Sequence, residues 1–152
     1  MNKQFFIFTD GSAIGNPGPA GWAAIVIHGT RRQEIAASVP WSTVSEMELR
    51  AAVEALRRTP VGSRIELRSD SELLIQGMRF RVFRWRRYGW RNSRGFELQH
   101  QGLWRELLLL NEDRTIRWLW VKGHSGHPIQ SRADALAYQA ARAGVVQERI
   151  AA

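Results

Sequence analysis

Short stretches of apolar residues, bounded by glycine, proline or polar residues, recur along the chain and predict five strands. The predicted strands cover residues 3–9, 22–27, 33–39, 64–69 and 115–121. The first is apolar at every position from Phe5 to Phe8, which is typical of a strand that is buried on both faces. Segment 28–32 predicts a hairpin between the second and third strands, and the glycines and prolines of 11–19 predict a turn after the first.

Apolar residues at helical spacing predict three longer helices, over residues 44–55, 99–110 and 128–144. Thr43 and Glu46 have the spacing of a capping box at the start of the first of these helices. Pro128 suits the first turn of the last helix, and Gly144 is expected to end it. A shorter helix is predicted after Asp70, where serine or aspartate can cap the first turn.

The order of these elements predicts an α/β fold built on a mixed five-stranded sheet. The first three strands are expected to be antiparallel and the last two parallel, with helices on both faces. Right-handed crossovers between parallel strands bring their C-terminal ends together, so Asp10 and Asp70 are expected to be neighbours. With 152 residues and 44% hydrophobic content, the chain is expected to form one domain over residues 1–152.

Four acidic residues occupy positions that converge in the predicted fold. Asp10 follows the first strand, Asp70 follows the fourth, and Asp134 lies near the start of the last helix. Glu48 interrupts an apolar helix stripe. Taken singly, each has a structural explanation as a turn residue, an exposed helix acid or a helix N-terminal charge. Their joint occurrence favours a shared site, because an unpaired acid in a stripe of valine and alanine is costly.

Converging carboxylates repel one another unless a cation neutralises them, so these acids predict a bound metal. Oxygen ligands select hard ions, and Mg²⁺ or Mn²⁺ is the expected choice. Two such ions roughly 4 Å apart can activate a water molecule and stabilise the leaving oxygen when a phosphodiester is hydrolysed. The chain has no cysteine, which excludes disulfides, thiolate metal ligands and cysteine nucleophiles.

Positive charge is concentrated in one segment. The formal charge is +8, and residues 79–94 carry seven arginines and no acid, which leaves +1 for the rest of the chain. Aromatic residues interleave with these arginines, an arrangement that can bind phosphates and stack on sugars or bases. A nucleic-acid backbone is therefore the expected partner. A solvated surface helix is one alternative, and a basic helix on a membrane surface is another that leaves the carboxylates unexplained.

No apolar run approaches the roughly 20 residues that a membrane-spanning helix needs, and the N-terminus has no signal-peptide pattern. The protein is therefore expected to be cytoplasmic and to have no membrane partner.

A glycine-rich loop over residues 122–127 carries two histidines between the last strand and the last helix. From such a loop, His124 can shuttle a proton or assist product release. A solvated surface histidine is the alternative, and the choice between the two depends on the neighbouring acids.

Five motifs, in the same order, resemble those of bacterial type 1 ribonuclease H over about residues 3–144. They are FTDGS at 8–12 with GNPG at 15–18, MEL at 47–49, SDS at 69–71, WVKGHSGH at 120–127 and ADALA at 133–137. The resemblance implies a ribonuclease H-like fold with a basic helical protrusion, and cleavage of the RNA strand of RNA/DNA hybrids by a monomer. It also implies that Asp10, Glu48, Asp70 and Asp134 hold two Mg²⁺ ions, with Asp10 and Asp70 closest to both, and that His124 assists turnover.

By the same resemblance, residues 80–94 correspond to a handle that grips the hybrid, and we call this segment the basic handle. The residues expected to contact nucleic acid are Gly11, Ser12, Asn16, Thr43, Ser71, Arg84, Trp85, Arg86, Arg87, Trp90 and Lys122. Gly11 can allow the backbone to approach the 2′-hydroxyls that distinguish RNA from DNA, or it can be required by a turn. Both interpretations remain open at the level of the sequence.

The chain departs from the family pattern near the predicted substrate groove. Val44 and Ser45 stand where the family commonly has two asparagines that contact the minor groove of the hybrid. The other departures are Glu46 for a basic residue, Glu72 for a glutamine, Arg84 for an asparagine, and Gln130 and Ser131 for an asparagine and a glutamate. They motivate two alternatives: a hybrid-binding module with weak or absent cleavage, and a nuclease of the same fold that acts on structured DNA.

Overall fold

The computed structural model describes residues 4–123 and 126–151, with side chains up to Gly144. Five strands form one sheet in the order β3-β2-β1-β4-β5. They are β1 (Gln4–Ala13), β2 (Gly18–His28), β3 (Arg31–Ser42), β4 (Arg64–Ser69) and β5 (Thr115–Trp120). The strands β1, β2 and β3 pair antiparallel, whereas β4 is parallel to both β1 and β5. The predicted mixed sheet is therefore confirmed.

Five α-helices and one π-helical turn connect and cover the strands of this sheet. They are α1 (Val44–Leu56), α2 (Glu72–Gln76), the π-helical turn (Gly77–Arg81), α3 (Val82–Arg87), α4 (Gln101–Glu112) and α5 (Pro128–Ala151). The predicted cap of α1 is present, because the Thr43 side chain accepts a hydrogen bond from the backbone N–H of Glu46 at 3.2 Å. The Glu46 carboxylate instead accepts a hydrogen bond from the Ser42 hydroxyl at 2.6 Å, so only half of a capping box forms.

The first strand is longer than the sequence pattern predicted. Asp10 lies inside β1 opposite Ala23, and the pairing continues to Ala13 opposite Ala20. The prediction that Asp10 follows the strand is wrong, and the predicted turn at 11–19 is limited to the four residues 14–17 between β1 and β2. Small residues on both strands let the antiparallel ladder continue, and its backbone hydrogen bonds outweigh the turn tendency of glycine.

The last helix also continues past the point where it was expected to stop. Gly144 lies within α5, which extends to Ala151. A glycine inside a helix costs about 1 kcal/mol relative to alanine, which does not end a helix whose neighbouring residues favour the helical conformation. The predicted stop at Gly144 is therefore wrong.

Helices cover both faces of the sheet, as predicted. On one face, Ile7 of β1 packs with Leu49 of α1 in the main hydrophobic core. On the other face, Phe8 of β1 packs with Ala133 of α5. The alternation of side chains along β1 therefore fixes one helix on each face and brings both helices to the same strand. This placement matters for the site, since Glu48 lies on α1 and Asp134 lies on α5.

Within the described residues, none of the helices has the combination of length and apolar character that crossing a membrane requires.

Candidate metal centre and nucleic-acid interface

Three carboxylates from three different elements converge at one end of the sheet. Asp10 of β1, Glu48 of α1 and Asp70 just after β4 each offer a carboxylate oxygen, and these oxygens all lie within 4.8 Å of one another. Because β1 and β4 pair in parallel with Phe8 opposite Arg68, two further residues along each chain bring Asp10 beside Asp70, which confirms that they are neighbours. Asp10 and Glu48 are only 6% and 5% exposed, so these two carboxylates are largely removed from water, whereas Asp70 is half-buried.

Gly11 explains how Glu48 reaches this group. A Cβ atom at Gly11 would lie 2.6 Å from the backbone nitrogen of Glu48, closer than real Cβ contacts allow. The missing side chain lets α1 pack directly on β1, and the backbone N–H of Gly11 is placed where it favours the charged form of the Glu48 carboxylate. Gly11 lies inside a strand, so the interpretation that a turn requires it is wrong, and the close approach that it permits is to α1.

The carboxylates destabilise one another's charged forms. Burial, and then the charge of Glu48, a hydrogen bond shared with Asp134 and the charge of Asp70, raise the pKa of Asp10 to about 11. The pKa of Glu48 is also raised, chiefly by burial and then by the charge of Asp70. Burial and the charge of Asp134 raise the pKa of Asp70. Without a cation, this cluster therefore retains protons at neutral pH.

The donor set fits a hard divalent cation. Oxygen Oε2 of Glu48 is buried and has no hydrogen-bond partner among the described residues. A buried carboxylate oxygen without a partner is costly, and a cation within reach of all three carboxylates would compensate it. Carboxylate-only ligation is the chemistry of Mg²⁺ and Mn²⁺.

Asp134 lies beside this group. It is half-buried on α5, and its carboxyl is near enough to that of Asp10 to contribute to the raised pKa of Asp10. Asp10 therefore neighbours Glu48 and Asp70, with which it forms the group of three carboxylates, and it also neighbours Asp134. The predicted role of His124 falls outside the described residues.

Two residues near the centre have contacts that the sequence did not reveal. The buried Gln130 donates from Nε2 to the backbone oxygen of Thr9 at 3.0 Å, and the two residues are 121 positions apart. The ring of His127 stacks on Phe8 at 5.1 Å and accepts a hydrogen bond from the Ile129 N–H at 3.3 Å. The sequence shows that Gln130 precedes Asp134 by one helical turn, but it gives no indication of the strand residue that the amide contacts.

Several residues expected to line the groove also hold the fold together. The Thr43 and Ser71 hydroxyls cap α1 and α2 by accepting hydrogen bonds from N–H groups of the first turn. Asn16, which is exposed, accepts a hydrogen bond at Oδ1 from the Val44 N–H at 3.0 Å. Ser12 is half-buried and Lys122 is exposed. These residues thus form a surface of helix caps and a hydrogen-bonded turn at the end of the sheet that carries Asp10.

The basic handle is anchored by tryptophans. Trp85 is half-buried and packs against Trp104, with ring centroids 4.9 Å apart. Trp90 belongs to the main core and is only 7% exposed, with Arg105 over its ring. Little of the Trp90 ring is therefore available for stacking, and its contact with nucleic acid stays a prediction.

Arginines form the exposed surface of this segment. Arg84, Arg86 and Arg87 are all exposed, and Arg84 and Arg87 lie over the Tyr88 ring at 5.9 and 6.0 Å. The arginines are not all uncompensated, because Arg86 forms an ion pair with Glu112 at 2.6 Å. An open pocket of about 640 Å³ adjoins them, lined by Arg81, Arg84, Trp85, Tyr88, Arg91, Asn92, Ser93, Gly95 and Leu98. The surface is therefore positively charged and aromatic, as phosphate and sugar contacts require.

Sequence comparison identifies the family to which this arrangement of carboxylates belongs. A family model described as RNase H matches residues 2–142. The chain belongs to the ribonuclease H family. Ribonuclease HI of Caulobacter vibrioides is 37% identical over 142 residues, which cover 93% of this chain and 95% of that protein. Ribonuclease H of Hahella chejuensis is 44% identical over 135 residues, which cover 89% and 91%.

The same similarity extends to solved structures of ribonucleases H. The crystal structure of LC9-RNase H1, described as a type 1 RNase H with the type 2 active-site motif, superposes with a TM-score of 0.84 at 27% identity. The match covers 95% of this chain and 74% of that one. The ribonuclease H fold expected from the motifs is therefore confirmed.

Proposed function

We propose that this member of the ribonuclease H family hydrolyses the RNA strand of RNA/DNA hybrids with two Mg²⁺ ions, held by Asp10, Glu48, Asp70 and Asp134. The family is a family of metal-dependent endoribonucleases, and the chain matches it over nearly its whole length. The observation that carries the proposal is the convergence of three carboxylates around a buried Glu48 oxygen that has no partner among the described residues.

The geometry suggests a division of roles among the carboxylates. Asp10 lies within reach of Glu48 and Asp70, and its pKa also responds to Asp134, so it would be placed to serve as a ligand shared between the ions. Glu48 and Asp70 complete the ligands on one side, and Asp134 completes them on the other. When bound, the ions supply an activated water and neutralise the departing oxygen of the scissile phosphate. Burial of Asp10 and Glu48 limits competing water, which keeps their carboxylate oxygens available for ligation.

Binding of the hybrid is assigned to the surface beside this centre. Exposed arginines of the basic handle, Arg84 and Arg87 among them, are suited to phosphates of one strand. The helix caps at Thr43 and Ser71, together with Asn16 and Ser12, are suited to the backbone that passes over the carboxylates. Mg²⁺ is the proposed ion, and Mn²⁺ can replace it because both prefer oxygen ligands. The cytoplasmic location and the monomeric state stay predictions.

A panel of end-labelled substrates tests the proposal, with Mg²⁺ and with a chelator instead. The expected result is metal-dependent cleavage of the RNA strand of the hybrid, with single-stranded RNA, RNA duplex, DNA duplex and DNA junctions left intact. Tight binding of the hybrid without cleavage would replace the proposal with a binding module. Cleavage of the junctions in preference to the hybrid would assign the same site to structured DNA.

A further inference from the structure

Gln130 lies at a buried junction between α5 and β1. It is 3% exposed, and its Nε2 donates a hydrogen bond to the backbone oxygen of Thr9 at 3.0 Å. Oxygen Oε1 of the same amide has no partner among the residues that the structure describes. Burying an amide for one hydrogen bond, with one oxygen unsatisfied, costs free energy compared with an apolar side chain of the same size. The point at which this hydrogen bond reaches β1 therefore indicates why a buried amide is present here.

This hydrogen bond reaches β1 just beyond the point where the pairing of β1 with β4 ends. The pairing of β1 with β4 ends at Phe8 opposite Arg68, so the ladder on that side does not extend to Thr9. The Thr9 oxygen belongs to the peptide group whose nitrogen is that of Asp10. Because a peptide group is planar, a hydrogen bond to this oxygen fixes the orientation of the backbone that leads into Asp10. Gln130 thus acts on the position of Asp10 without touching its carboxylate.

The same side chain lies one helical turn before Asp134. Residues four apart on a helix project from the same face, so Gln130 and Asp134 both face β1 from α5. Asp134 in turn lies beside Asp10, since it contributes to the raised pKa of the Asp10 carboxyl. The same face of α5 therefore places one side chain on the Thr9 backbone and the next, one turn later, beside the Asp10 carboxyl.

We infer that Gln130 is a positioning residue, which holds α5 and β1 at the separation that lets Asp10 and Asp134 bind one divalent cation together. The inference rests on the proposed function, because it concerns the metal held by those carboxylates. It assigns a purpose to a buried amide that packing alone would disfavour. A helix that is free to shift relative to β1 would separate Asp10 from Asp134, while Glu48 on α1 and Asp70 just after β4 would stay in place.

The test replaces the amide by a side chain of similar shape that cannot donate. Gln130→Met is compared with Gln139→Met, which removes an exposed amide from the same helix. Calorimetric titration with MgCl₂ and with MnCl₂, without nucleic acid, measures metal affinity directly. We expect Gln130→Met to weaken metal binding about 10-fold or more, the usual effect of removing a group that orients a metal ligand, and Gln139→Met to leave it unchanged. Saturating metal should restore most of the hybrid cleavage by Gln130→Met.

A merely structural role predicts a different outcome. In that case Gln130→Met would lower the melting temperature of the metal-free protein while leaving the metal dissociation constant at the parent value, and this result would overturn the inference. Gln130→Asn keeps an amide on a side chain too short to reach Thr9 and should bind metal as weakly as Gln130→Met. If Gln130→Met does not fold, Gln130→Asn serves as the test instead. Its amide is too short to reach Thr9, so a metal affinity equal to that of the parent would overturn the inference.

Failure of the proposed function would be recognised separately. The metal centre itself is disproved if the parent protein binds no divalent cation, or if Asp10→Asn binds the cation as tightly as the parent does. If the parent binds the cation and Gln130→Met binds it equally well, only the role of Gln130 is disproved.

Discussion

At the scale of single residues, the centre depends as much on an absent side chain as on the acids. The carboxylates could be selected from the sequence because each follows a recognisable pattern, a strand end or an apolar helix stripe. The reason for Gly11 could not, since the atom that a Cβ would meet is the backbone nitrogen of Glu48, 37 positions later in the sequence. The same limit hid the contact of Gln130 with Thr9. Long-range backbone contacts leave no periodic trace in a sequence.

Gly11→Ala should destabilise the protein and weaken the metal centre. The added Cβ would lie 2.6 Å from the Glu48 nitrogen and 2.7 Å from the Met47 Cβ, so α1 must move away from β1. We expect a loss of about 1–3 kcal/mol in the free energy of unfolding, as for overpacked cores, measured by urea denaturation. Gly102→Ala is the matched control, because a Cβ there meets nothing within 4 Å and alanine favours the helix. Equal stability of the two variants would contradict the close packing assigned to Gly11.

The raised pKa of Asp10 makes the stability of the metal-free protein depend on pH. The pKa of Asp10 rises from 3.8 to about 11 on folding. The folded state therefore holds a proton that the unfolded state releases, and the associated stability is complete below the unfolded pKa and is lost progressively as pH rises toward the folded one. In a chelator, the melting temperature should fall between about pH 5 and about pH 8.

Asp10→Asn should remove much of this dependence, because an amide does not titrate. At about pH 8, the variant should exceed the metal-free parent in free energy of unfolding by roughly 1–3 kcal/mol. Asp113→Asn, at an exposed aspartate after α4, is the control and should follow the parent. Two results would contradict the raised pKa of Asp10. One is a parent melting temperature that does not change with pH, and the other is an Asp10→Asn variant that is no more stable than the parent.

At the scale of elements, strand and helix positions followed from periodicity, whereas their ends did not. The apolar run that predicted β1 stopped at Thr9 because polar and small residues follow, yet the ladder with β2 continues to Ala13. The helix α5 continues through Gly144 because the surrounding residues favour the helical conformation more than one glycine disfavours it. The sequence revealed the positive charge of the basic handle, but not which of its tryptophans pack against the rest of the protein. Trp90 belongs to the core, and only the fold reveals which aromatic residues face inwards.

Removing exposed arginines from the basic handle should flatten the salt dependence of hybrid binding. Each phosphate contact that is lost lowers the slope of log K against log salt by about 0.9, so Arg84→Ala with Arg87→Ala should lower it by about 1–2. Arg31→Ala with Arg64→Ala removes the same charge from the opposite end of the sheet and should leave the slope nearly unchanged. Equal slopes for both double variants would show that net charge, and not the handle, governs binding.

At the scale of the whole molecule, the topology of the sheet assembles the site. Parallel pairing of β1 with β4 brings Asp10 and Asp70 together, α1 supplies Glu48 from one face, and α5 supplies Asp134 from the other. This much could be predicted, because right-handed crossovers leave few ways to arrange such elements. The exact spacing could not, since it depends on the close contact at Gly11 and on the bond from Gln130. Both connect segments that are distant in sequence.

Binding and cleavage of one RNA/DNA hybrid by the parent and by Glu48→Gln test whether these carboxylates form a metal-dependent nuclease centre. Glutamine preserves the size of a residue that is 5% exposed while removing the charge that a cation requires. We expect cleavage in Mg²⁺ to fall roughly 100-fold or more while the hybrid dissociation constant stays near that of the parent, because the exposed arginines of the basic handle are untouched. Cleavage that persists in Glu48→Gln, or that is equal with and without Mg²⁺ in the parent, would contradict a nuclease centre built on these carboxylates.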